Sequence, residues 1–316
     1  MASRTPRLSV IIPNWNGARL LPACLNALRR QICGDHEVIV VDNASRDESC
    51  ALIAHAYPEV RLLRLETNRG LTGGCNAGIA LARGEIIALL NNDTEADPQW
   101  LQALAEALDR HPEAGSAATK ILLYDRRDTL NSAGDIYGKD GIPNSRGVWQ
   151  KDTGQFEEET WVFGACGGAA AYRREMLEQI GLFDESFFMY CEDVDLAWRA
   201  QIAGWRCIYA PQAVIYHRLS ATGGGPLASF YTGRNTLYVL AKDVPLALRR
   251  KHWPRMVAAQ LRIAAEAARA WQGEAARARL RGQWAGLLGW GPMRRRHAEV
   301  ERLRRVSDEY LESILR

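Results

Sequence analysis

Four short apolar runs within the first 90 residues limit this chain to one class of fold. "LSVIIP" (8–13), "EVIVVD" (37–42), "VRLLRLE" (60–66) and "EIIALL" (85–90) are mostly apolar, rich in Val, Ile and Leu, and too short for typical helices. Helical periodicity fills the gaps between them, at 18–30, 46–57 and 72–83, and a fourth helix over 98–110 opens with Pro98 at a first-turn position. Repeated strand–helix units with nearly continuous apolar strands predict an α/β fold, its sheet largely parallel and covered on both faces.

The pattern then loosens. Residues 124–160 dissolve into Asp, Gly, Asn and Ser, a loop long enough to be functional or mobile. Regularity resumes with "WVFGACGGAAAYRREML" (161–177), read as a strand feeding a helix, then "GLFDESFFMYCEDVDLAWRAQIAGW" (181–205) and a strand at 206–211. After Gly223 to Pro226 the chain turns helical and Ala/Arg-rich to its end. Charge is unevenly shared: residues 243–316 carry 16 Lys/Arg against 8 Asp/Glu, so a basic tail follows a mildly acidic body. Seven cysteines without a CxxC pair read as reduced thiols, not as a disulfide framework or a structural zinc site. The opening "MASRTPRLSVIIPNWNG" does not read as a signal peptide, and no segment reaches the roughly 18 apolar residues of a membrane span. Work at a membrane would be done from its surface.

Polar residues gather where the strands end, and in open α/β sheets ligands sit outside those carboxyl ends. The first run ends in Pro13, Asn14, Trp15 and Asn16, the second in Asp42, Asn43 and Ser45, the third leads to Asn68, Arg69 and Gly70, and the fourth to Asn91, Asn92 and Asp93. Four such endings in succession favour a site over four unrelated turns. "NRGLTGGCNAG" (68–78) places glycines before a helix whose free N–H groups suit a phosphate, although helix–sheet packing explains Gly73 and Gly74 about as well. Asp42 is suited to a base or ribose, or to capping the next helix, where Ser45 is better placed. Asp93 suits a divalent cation that neutralises a departing diphosphate. Glu192, Asp193 and Asp195 follow the aromatic Phe187, Phe188 and Tyr190; they are first-turn helix stabilisers or supply a general base raised by desolvation. His217 closes "AVIYH" as a structural histidine, or as a metal ligand or diphosphate contact.

In this order, "VIIPNWNG", "EVIVVDNASRD", "NRGLTGGCNAG", "LLNNDT", the 181–205 stretch and "YAPQAVIYH" resemble the inverting, non-processive family 2 glycosyltransferases of GT-A fold, over roughly residues 8–240. The likeness is strongest to bacterial rhamnosyltransferases that build lipid-linked glycans. It implies a Rossmann-like, mixed but mostly parallel sheet flanked by helices, with a donor half at 1–120, an acceptor half at 121–240 and a helical C-terminal extension at 241–316. It implies that Pro13, Asn14, Asn16, Asp42 and Asn43 line the nucleotide, that Asn68, Gly70, Gly73, Gly74 and Asn76 lie near the diphosphate, and that Asn92 and Asp93 replace the family's Asp-X-Asp metal motif. Glu192 and Asp193 match its Glu-Asp pair, with Asp193 as base, and His217 matches a histidine that completes a Mg²⁺ or Mn²⁺ site. The expected reaction is transfer of L-rhamnose from dTDP-rhamnose to a glycan or polyprenyl-diphosphate-linked acceptor in cell-surface polysaccharide synthesis, carried out in the cytoplasm or on the inner face of the membrane.

Three departures qualify the likeness. The metal motif holds one carboxylate, Cys75 stands where relatives often carry Asn, and no Gln-X-X-Arg-Trp motif of processive synthases is present. Rival readings are a UDP-dependent galactofuranosyl- or hexosyltransferase and a catalytically silent scaffold of the same fold. The Arg-rich, Trp-bearing segments 248–272 and 293–305 are either a packed appendage or an anionic-membrane contact; no nucleic-acid motif accompanies their charge.

Overall fold

The computed structural model describes residues 5–219 and 224–316. Residues 1–4 of the opening stretch, and Gly223 at the expected start of the helical tail, lie outside the described residues. The first 110 residues follow the predicted alternation: β1 (Leu8–Asn14), α1 (Leu21–Arg29), β2 (His36–Asp42), α2 (Ser49–Ala56), β3 (Arg61–Arg64), α3 (Gly70–Leu81), β4 (Ile86–Leu90), β5 (Thr94–Ala96) and α4 (Trp100–Arg110). After it come β6 (Ala114–Leu123), β7 (Leu130–Ala133), β8 (Asp135–Tyr137), β9 (Pro143–Ser145), β10 (Thr160–Val162), β11 (Ala169–Arg173), α5 (Arg174–Ile180), α6 (Glu192–Ile202) and β12 (Arg206–His217). Four helices complete the chain: α7 (Gly225–Lys242), α8 (Leu246–Arg269), α9 (Glu274–Glu301) and α10 (Asp308–Ser313).

The main sheet runs β10-β12-β6-β11-β4-β1-β2-β3. β1 pairs in parallel with β2 and β4, and β2 with β3, so four polar strand endings share one edge. β11 is antiparallel to both β4 and β6, which makes the sheet mixed, as the GT-A likeness implies. Successive side chains point to opposite faces. Val10 and Ile12 accordingly bury against α1 and α4, whereas Ile11 joins Ile39, Val41 and the α3 residues Cys75 and Ile79 on the other face.

The 124–160 segment is not one irregular loop. It holds β7, which pairs with β6, and the β8–β9 hairpin. A third buried cluster joins Phe187, Val194 and Trp198 to Leu237, Leu240, Met256, Val300 and Leu315, so the C-terminal helices share a core with α6 and the loop before it. α7 runs through residue 240 without a break. No helix among the described residues is long and apolar enough to cross a membrane.

Candidate active site

The polar strand ends are wired to one another. Asn14 stands at the centre: its Nδ2 donates to Asp42 Oδ1 at 3.2 Å and to Ser45 Oγ at 3.3 Å, while its Oδ1 accepts from Asn92 Nδ2 at 2.7 Å. The ends of β1, β2 and β4 are thereby held together by polar side chains. Asp42 Oδ2 accepts from the Ser45 backbone N–H at 3.1 Å, so it closes the turn after β2. Neither residue caps α2, whose helix begins at Ser49. Asp42, Asn16, Ser45, Arg64 and Asn68 line a shallow cleft at this edge.

A cavity of about 920 Å³ adjoins it. Pro13, Asn14, Asn68, Gly70, Asn92, Asp93, Glu192, Asp193 and His217 all line it, which brings together nine expected site residues from both halves of the chain. Gly70 has φ +72°, and a methyl there would fall 2.4 Å from the Phe188 carbonyl, so only glycine lets the α3 start pass under the aromatic loop. Four expected residues lie elsewhere. Gly73 and Gly74 are buried inside α3, not in a turn before it, because the helix already begins at Gly70. Asn76 clamps Phe183, donating to its carbonyl at 2.8 Å and accepting from its N–H at 3.1 Å. Asn43 braces the α3 start through the Gly70 carbonyl and the Arg69 N–H, each at 2.8 Å.

On the cavity floor Asp93 is 3 % exposed and its Oδ1 lies 3.4 Å from His217 Nε2. His217 Nδ1 lies 2.9 Å from Asn131 Oδ1, so the ring is anchored on one side and presents Nε2 to the carboxylate on the other. A carboxylate and an imidazole side by side on the floor form a donor set that fits a divalent cation taking further oxygens from phosphate. No group of three or more His, Cys, Asp and Glu ligands gathers among the described residues.

The acidic pair opens α6. Phe188, Tyr190 and Cys191 all have positive φ, between 62° and 66°, an uncommon conformation for such side chains. Asn235 of α7 secures the strained loop, its Nδ2 lying 3.0, 2.9 and 2.6 Å from the carbonyls of Phe187, Met189 and Tyr190. Arg234 donates to the Ser186 and Phe187 carbonyls, each at 2.8 Å. Asp193 then accepts from the Gly167 and Val194 N–H groups, each at 2.8 Å. Glu192 is 4 % exposed and its Oε2 has no hydrogen-bond partner.

Burial raises both pKa values, and Asp193 pushes Glu192 well above the carboxylate range. Two N–H donors favour ionised Asp193, so Glu192 keeps the proton. Asp195 is not part of this pair: it bonds Arg199 and Lys242, and Lys242 bonds Asp184 at 2.6 Å, forming an internal ion network.

Sequence reasoning missed Asp135, Arg234 and Asn235. Asp135 of β8 lines the cavity, accepts from Ser145 Oγ at 2.9 Å, and is pushed up to about 8 by burial and by Asp193. The signal for the α7 pair was an Arg-Asn couple inside an otherwise apolar helical stretch.

A family model described as "Glycosyl transferase family 2" matches residues 9–181, more than half of the chain. An N-acetylglucosaminyl-diphospho-decaprenol L-rhamnosyltransferase of Mycobacterium tuberculosis is 30% identical over 232 residues, spanning 65% of this chain and 74% of that protein. The O-antigen biosynthesis protein RfbC of Myxococcus xanthus is 30% identical over 69% of this chain. This chain spans only 18% of that relative's length, and 25% of another from Sinorhizobium fredii. Among solved structures, a mannosyltransferase of Pyrobaculum calidifontis in complex with GDP-Man and Mn²⁺ superposes with TM-score 0.54 at 21% identity, covering 95% of this chain and 86% of the other.

Proposed function

The chain belongs to glycosyl transferase family 2, and on that premise we propose that it is an inverting, non-processive, metal-dependent transferase that moves L-rhamnose from dTDP-rhamnose to a hydroxyl of a glycan or polyprenyl-diphosphate-linked acceptor. The observation that carries the reading is the meeting of Asp193, with its two N–H donors, and the Asp93–His217 pair in one cavity. The rhamnosyl donor and lipid-linked acceptor are taken from the mycobacterial relative, and the Mn²⁺ of the mannosyltransferase supports a divalent ion.

In this reading Asp193 takes the proton of the acceptor hydroxyl as its oxygen attacks the anomeric carbon. The bond from that carbon to the diphosphate oxygen breaks on the opposite side, its electron pair leaves with the diphosphate, and configuration inverts. Asp93 and His217 would hold a Mg²⁺ or Mn²⁺ ion, which would supply positive charge to the departing diphosphate. Asn14 and Asn92 fix the floor, and Asp42 with Asn16 and Asn68 receives the nucleoside. Protonated Glu192 donates a hydrogen bond into the cavity and keeps a second negative charge away from the base. Residues 1–120 act as the donor half and 121–240 as the acceptor half; synthesis takes place in the cytoplasm, with the C-terminal helices of 241–316 at the membrane face.

Calorimetric titration with dTDP-rhamnose and Mn²⁺ tests the reading. Saturable heat that needs the metal is expected, with Asp93→Ala weakening it and Asp193→Asn leaving it in place. Absence of such heat with every nucleotide sugar would mark a silent scaffold, and selective heat with UDP-sugars would replace the donor.

A further inference from the structure

We propose that α8 and α9 together present one docking face to an anionic lipid bilayer, beside the α7 segment that lines the cavity. The inference deepens the reading of a membrane-presented acceptor, but its measurement does not depend on sugar transfer.

Burial divides each helix into two faces. On α8, Leu248, Met256, Ala259 and Ala267 turn to the body, while Leu246, Trp253 and Leu261 form an outward stripe at helical spacing. Arg255, Arg262 and Arg269 recur every seven residues along that stripe's flank, and all three are exposed. On α9, Ala278, Gly282, Gly286 and Met293 turn inward, and Arg281, Trp284, Leu288 and Arg295 turn outward. Gln283 donates to the Gln260 carbonyl at 3.1 Å, and Arg249 lies 5.8 Å from the Trp290 ring, so the two helices adjoin and their outward faces lie side by side. Trp253, Leu261, Trp271, Trp284, Leu287 and Leu288 are 56–67 % exposed.

The charges decide the partner. Three cations that face the body are paired with acids: Lys242 and Arg296 with Asp184, and Arg304 with Glu301. None of Arg255, Arg262, Arg269, Arg281 and Arg295 has an acidic ion-pair partner among the described residues, and Glu266 is the one acid on α8. A second copy would bring these unpaired cations against one another. An anionic bilayer would neutralise them while taking the indoles and leucines into its interface.

The position fits the chemistry. α7 and α9 run in parallel, with Gly282 against Phe230, Gly286 against Leu237 and Gly289 against Tyr238. The α9 stretch around Arg279 and Gly282 therefore lies beside the α7 turns that hold Leu227, Ala228, Ser229, Tyr231 and Thr232, which line the cavity. A bilayer on this face would deliver a lipid-carried hydroxyl to the cavity wall.

The test is co-sedimentation of the full chain with vesicles of phosphatidylglycerol and phosphatidylcholine, against phosphatidylcholine alone. Binding to the anionic vesicles that falls with salt is expected, and Arg255→Gln/Arg262→Gln/Arg281→Gln should weaken it about a hundredfold. Trp253→Ser/Trp284→Ser/Leu288→Ser should abolish it, with nucleotide-sugar heat unchanged in both variants as the control for folding. Quenching of wild-type tryptophan fluorescence by brominated phosphatidylcholine within anionic vesicles gives a second readout that needs no variant. Absent binding, absent quenching, binding untouched by these substitutions, or a dimer that the apolar substitutions dissociate would each overturn the proposal.

Discussion

At the scale of single residues, the site depends on two adjacent carboxyls having different surroundings. Asp193 has backbone donors and Glu192 has none on its buried Oε2. Asp193→Asn should lower turnover by at least about a hundredfold, measured as nucleoside diphosphate release, since proton transfer to a positioned base is worth roughly 10²–10⁴ in rate. Raised by burial, Asp193 should place the acid limb of kcat/KM above the usual carboxylate range, with activity lost as pH falls through it. Glu192 acts on stability with a definite sign. Its folded pKa lies well above the unfolded value, so between the two the native state binds more protons and stability falls as pH rises. Glu192→Gln should flatten that slope and gain on wild type as pH rises, as read by urea denaturation across a pH series.

At the scale of elements, α7 is both wall and clamp. Asn235→Ala would strand the Met189 and Tyr190 carbonyls, while Phe187 keeps its Arg234 donor, at a cost of about 2–4 kcal/mol. A lower melting temperature with loss of transfer is expected. The α7–α9 contact is equally exacting: a methyl at Gly282 would fall 2.1 Å from the Phe230 carbonyl, so Gly282→Ala should cost about 1–3 kcal/mol in thermal unfolding. The same physics shows what the sequence could announce. β1, β2 and β4 were legible because apolar residues run on without interruption, which only a doubly covered strand requires. β6 escaped because "AGSAAT" buries small residues that carry no hydrophobic signature, and the β8–β9 hairpin escaped because its pairing is too short to print a period. Gly73 and Gly74 looked like a phosphate turn, yet α3 needs small residues where it lies close to the sheet: a methyl at Gly78 would sit 2.3 Å from Ile11 Cγ2.

At the scale of the whole molecule, the basic tail has a second relation to the body. Leu237, Met256, Val300, Leu311 and Leu315 share a buried cluster with Trp198 and Phe187, under the acidic loop. Removing residues 274–316 should therefore leave an insoluble or molten chain, seen as lost near-ultraviolet circular dichroism. The sequence placed nearly every group at the cavity floor but none of the helical groups that hold its far wall, since residues from 135 to 235 meet only after the chain has closed. That arrangement sets a rule for anyone recombining such enzymes. The acidic loop is not a portable cassette, because the amide that tolerates its left-handed run is encoded more than 40 residues downstream. A chimaera that imports residues 181–205 without the helix around Asn235 would inherit the acids and lose the geometry that gives them different proton affinities.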